Sequence, residues 1–99
     1  MIPNKVNIRG TGIPRLTAEL VKKNKDESVA MFLRNDGYYE IGIVKYVKQN
    51  YTFPNGKEIK AGDFTYWNND DFGSIVKTTK LTDTAYNMFD KFKERVLEV

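Results

Sequence analysis

Asn68, Asn69, Asp70 and Asp71 stand together, with Asp63 a short way upstream. Carboxylate and amide oxygens grouped on a loop are the ligands that hard cations such as calcium and magnesium take. An EF-hand loop, however, alternates its oxygen ligands around a central glycine and closes on a distal glutamate. Counted from Asn69, the twelfth position is Lys80, so that pattern fails. Asn and Asp are also ordinary turn residues, because their side chains bond back to their own backbone. A polar turn is the simpler reading.

Other constellations are thinner still. Glu58-Ile59-Lys60 has the acidic-x-Lys order of half a metal-dependent nuclease site. The other half would be an upstream Asp at a strand end. Asp36 is the candidate, and it sits inside the turn signal Asn35-Asp36-Gly37. Gly10-Thr11-Gly12 is glycine-rich, but a phosphate cradle wants a hydrophobic strand before it and a Gly-Lys-Ser/Thr ending. Pro14-Arg15 follows instead, which reads as a bend. Ser28 and Ser74 are the only serines, and the chain has no histidine to activate either. It has no cysteine, which excludes a disulfide scaffold and a thiolate zinc site. A non-enzymatic chain with no catalytic residues, metal or cofactor is therefore expected.

The chain is rich in aromatic residues. Nine of its thirteen aromatic residues fall between positions 38 and 72: Tyr38, Tyr39, Tyr46, Tyr51, Phe53, Phe64, Tyr66, Trp67 and Phe72. Most should be core, since aromatics are common in strands. Strand alternation leaves Tyr38, Tyr46, Tyr51 and Trp67 as the set expected on a partner-binding surface, because Tyr and Trp are favoured anchors of protein interfaces. A small protein-binding module follows as the expected function, in the manner of a phage or mobile-element factor acting on a host protein. The alternative is nucleic-acid binding, with these rings stacking bases while Arg9, Arg15, Lys45, Lys48, Lys57 and Lys60 neutralise phosphates.

Charge is compatible with both. The net charge is +3. Residues 1–27 carry six basic and three acidic side chains and residues 28–62 five and three, whereas 63–80 carry two and three and 81–99 three and four. The first two thirds are thus basic and would draw a polyanion. Abundant Lys, Asn, Ile and Tyr with few Arg point to a low-GC bacterium or a phage within one. No apolar run is long enough to span a bilayer, and the first residues lack the apolar centre of a signal peptide. A cytoplasmic protein with no membrane role is expected.

The elements that would position these residues form a single domain over 1–99. Residues 5–9 read as a short edge strand. Residues 16–25 read as a helix, with Leu16, Leu20 and Val21 on one stripe, Thr17 as its cap and Lys22, Lys23 and Lys25 at its C-terminal end. Residues 28–34 and 38–48 read as a hairpin about Asp36-Gly37. Pro54-Asn55-Gly56 joins a second hairpin, 50–53 with 57–60. Residues 64–67 and 73–79 read as short strands, the former an edge through which a homodimer could pair. Residues 82–99 read as an amphipathic helix capped by Thr82 or Asp83, with Ala85, Met88, Phe89, Phe92 and Val96 on one face. The sum is an α+β fold: an antiparallel, hairpin-built sheet of about four to six strands with a long C-terminal helix packed on one face. A small barrel closed by the helix is the alternative.

Overall fold

A computed structural model describes residues 2–8 and 15–97. Its centre is a five-stranded antiparallel sheet in the order β1 (Lys5–Asn7), β2 (Thr17–Lys23), β3 (Val29–Arg34), β4 (Tyr39–Ile43), β9 (Val76–Thr79). The helix α1 (Thr82–Leu97) packs on β3, β4 and β9. The sheet keeps two open edges, β1 and β9, so it does not close into a barrel.

Alternation along β3 and β4 divides the core in two. Val29, Met31, Ile41 and the half-buried Tyr39 and Ile43 face α1 and meet Ala85, Phe89 and Phe92. Ala30 and Phe32 point the other way, toward Ala18, Val44, Trp67 and Val76. A strand buried on both faces needs apolar residues at consecutive positions. The run Val29-Ala30-Met31-Phe32 supplies them, and all four are fully buried. Gly42 completes the β4–β9 contact. A Cβ there would meet Ile75 O at 2.2 Å and Val76 Cα at 2.6 Å, so only glycine lets β9 approach this closely.

The second face is covered by the excursion between β4 and β9. Two short ribbons, β5 (Lys45–Tyr46) with β8 (Phe64–Thr65) and β6 (Tyr51–Thr52) with β7 (Glu58–Ile59), lie one beyond the other along it. The Val47 N–H donates to Asp63 O and the Gly62 N–H to Val47 O, both at 2.8 Å, which links the two into one broken hairpin. Its base carries Tyr46 and Phe64 into the second core. Tyr66 and Trp67 follow and stand edge-on to Phe32, with ring centroids 5.3 and 5.9 Å away.

Several expectations are corrected. Residues 16–25 hold no helix: Ala18 and Leu20 alternate onto the second core while β2 pairs on both sides, with β1 and β3. Leu16, Ala18 and Leu20 already carry a period of two, and sheet pairing decided against the equally readable helical stripe. The strand expected over 38–48 breaks at Val44, where the chain leaves β9 to start the excursion. The strand over 64–67 shortens to β8, which pairs with β5 and is not an edge of the main sheet. Thr82 is the first helical residue rather than the cap, and the Ala85 N–H donates to Leu81 O at 3.0 Å. The turns at Gly37 and Gly56 take the expected positive φ, 95° and 88°.

Candidate functional site

The four rings expected to form one surface are separated by the fold. Trp67 is 6% exposed, and its indole Nε1–H donates to Ile43 O at 2.8 Å. It is a core residue that ties the excursion to β4. Tyr46 is half-buried, and its hydroxyl donates to Glu27 O at 2.7 Å. Burial, with the nearby charges of Glu27 and Asp26, raises its phenol above the ordinary range. Tyr38 is half-buried between two cations, with the Arg34 guanidinium 5.1 Å and the Lys80 ammonium 4.6 Å from its ring centre. Only Tyr51, 56% exposed, stands well out in solvent.

Tyr51 is not isolated. Phe53, two positions on and so on the same side of the ribbon, is 37% exposed. The two rings meet edge to face, with centroids 4.8 Å apart and planes at 78°. That is the favourable geometry for an aromatic pair. The turn beyond is set by the Phe53 N–H donating to Lys57 O at 2.8 Å and by the Asn55 side chain accepting from the Lys57 N–H at 3.0 Å. From residue 48 to residue 63 every residue is exposed except Ile59, which is half-buried. The strands β6 and β7 pack chiefly on each other. The outer ribbon is therefore an arm that carries an aromatic pair the core does not use. Phe53 was the residue overlooked in the sequence, although the Tyr-x-Phe alternation was there to find it.

The six cations also divide. Lys48, Lys57 and Lys60 share the outer ribbon, accompanied by Glu58 and Asp63. Lys45 lies below, its ammonium 2.9 Å from Asp71. Arg15 lies at the other end of β3, where its carbonyl accepts from the Asn35 side chain at 3.0 Å. Arg9 and the Gly10-Thr11-Gly12 bend lie outside the described residues.

The acidic corner is a short 3-10 turn, Asn69–Asp71, closed by its own side chains. Asn68 Oδ1 accepts from the Asp70 N–H at 3.0 Å, and Asp71 Oδ2 accepts from the Asn68 N–H at 2.8 Å and from Lys45. Burial pushes the Asp71 carboxyl up, but these donors outweigh it and hold the group below the ordinary carboxylate range. Asp63 is engaged elsewhere, accepting from the Lys60 N–H at 3.0 Å. The corner's oxygens thus complete a turn and anchor Lys45.

One buried polar cluster was not foreseen. Glu40, 3% exposed on the second face of β4, accepts a hydrogen bond from the Tyr66 hydroxyl and lies 3.5 Å from the Arg34 guanidinium. Burial raises the Tyr66 phenol far above its ordinary range, and the Glu40 charge and hydrogen bond push it the same way. Arg34 is itself held by Asp36. The cluster joins three separate segments beneath the excursion.

No protein-family model, curated protein or solved structure matches the chain. No helix among the described residues is long and apolar enough to cross a membrane.

Proposed function

We propose that this chain is a non-enzymatic protein-binding module whose contact surface is the outer ribbon. The observation that carries the reading is the exposed Tyr51–Phe53 pair on an arm that contributes little to the core. Paired aromatics bring large apolar area to an interface at low entropic cost. Lys48, Lys57 and Lys60 would form the polar rim around them, so the fitting partner offers an apolar pocket edged with carboxylates. A host protein bound by a phage or mobile-element factor is the expected source of such a pocket.

The test is a double variant, Tyr51→Ala with Phe53→Ala. Wild-type chain retains a specific partner from a lysate of a low-GC host, and the purified partner binds it directly. The double variant loses that binding while its circular dichroism and melting temperature stay those of the wild type. Retained binding in the variant would remove the ribbon from the interface.

The three ribbon lysines also support a second reading, because two-stranded ribbons can enter a nucleic-acid groove. Affinity for oligonucleotides would then fall steeply with salt. No oligonucleotide binding at low salt ends that reading and leaves the first intact.

A further inference from the structure

A cleft of about 740 Å³ opens between the end of β2, the corner leading to β3 and the C-terminal half of α1. Lys22, Lys23, Lys25 and Lys93 line it, above Phe89 and Val96. We infer that this cleft binds a small, multiply phosphorylated molecule.

The placement of Lys22 is the main support. A register shift between Leu20 and Lys22 marks a bulge in β2. Before it, Leu20 pairs with Phe32 and faces the second core; after it, Lys22 pairs with Met31 and faces α1. Met31 is fully buried there, so packing alone would favour an apolar neighbour. The bulge instead sets an ammonium group over the core, 4.9 Å from the centre of the Phe89 ring and 5.3 Å from that of Tyr86. Lys93 approaches the same Phe89 ring at 5.7 Å. Two ammonium groups are thus held near one ring at the floor of the cleft.

Three carboxylates stand near the cleft, two of them paired with its own lysines Lys23 and Lys93 and the third, Asp26, held by its turn. Asp26, which lines it, accepts from the Ser28 hydroxyl at 2.6 Å and the Ser28 N–H at 3.2 Å. Glu27 takes the Ile2 N–H at 2.9 Å along with Lys23 at 3.2 Å. Asp90 reaches Lys93 only at 3.9 Å. Among the described residues, Lys22 and Lys25 make no ion pair. Ammonium groups act on phosphate as compact point charges, and several at one mouth suit an anion with several charges. The volume falls in the range of small-molecule pockets, roughly 300–1,000 Å³.

Inorganic tripolyphosphate is the probe, titrated into the full chain by calorimetry and by amide chemical shifts, with pyrophosphate and orthophosphate as weaker arms. Saturable binding is expected, with shifts confined to residues 22–26 and the last turns of α1. Loss of one charge-assisted contact should weaken it about tenfold. Lys22→Met and Lys93→Met should each show that loss. Lys25→Gln, at an exposed position, should show it too, while Lys57→Met with Lys60→Met on the ribbon should not. No saturable binding at millimolar concentration overturns the inference. So does equal weakening by the ribbon variant, and so does an oligonucleotide that occupies the cleft more tightly than tripolyphosphate.

Discussion

Replacing Tyr66 by Phe isolates one hydroxyl at the centre of the buried cluster. The ring remains against Phe32 and Trp67, so packing is preserved. Glu40 loses its phenolic donor and, among the described residues, keeps the Arg34 guanidinium at 3.5 Å. Removing a donor from a buried charged acceptor costs about 2 kcal/mol. For a domain of this size that lowers the melting temperature by roughly 10 °C. A second signature appears in alkali. Burial first, and the Glu40 charge with it, raise the folded-state phenol of Tyr66, whereas in the unfolded chain it titrates near about 10. Below that pH both states hold the proton and the group adds no pH dependence. Above it the unfolded chain loses the proton while the fold retains it. Stability therefore falls by up to about 1.4 kcal/mol per pH unit as pH rises. Tyr46 behaves in the same sense but is common to both proteins. Urea unfolding followed between about pH 9 and 11 should give a steeper alkaline loss for wild type than for Tyr66→Phe. Equal slopes, or an unchanged melting temperature at neutral pH, would show that the hydroxyl does not serve Glu40 as described.

Two further outcomes follow from the packing. Gly42→Ala should leave little folded protein at ordinary temperature, because the added methyl meets the backbone of Ile75 and Val76 rather than a movable side chain; a cooperative melt near that of wild type would contradict the close β4–β9 approach. Trp67→Ala should destabilise by about 3–5 kcal/mol in chemical denaturation, whereas Tyr51→Ala should stay within about 0.5 kcal/mol, which separates the core ring from the surface ring in one pair of measurements.

Local pattern was enough for several elements. The Asp36-Gly37 and Asn55-Gly56 turns were legible because positive φ is a property of a few residues and needs no tertiary partner. The α1 stripe was legible because Ala85, Met88, Phe89 and Phe92 repeat over enough turns to exclude other periods. The α+β architecture follows from these pieces. In β2 the pattern was too short to arbitrate: Leu16, Leu20 and Val21 suit a helix, and Leu16, Ala18 and Leu20 suit a strand. Pairing with β1 and β3 settled it, and the bulge then turned Lys22 toward α1.

The candidate site was legible only in part. Composition showed that the chain has neither histidine nor cysteine and that its aromatics crowd into one stretch. It could not assign those rings to core or solvent, because β-alternation states which residues share a face and not what covers that face. The excursion between β4 and β9 folds Phe64, Tyr66 and Trp67 back over the sheet and leaves its own outer ribbon in water. Trp67 thereby became core, Tyr51 gained Phe53 as its neighbour, and Glu40 was buried with Tyr66 across 26 residues of chain. Residue types and turns come from local chemistry. Burial comes from contacts between segments distant in sequence, and in this protein burial decides which aromatic residues reach solvent.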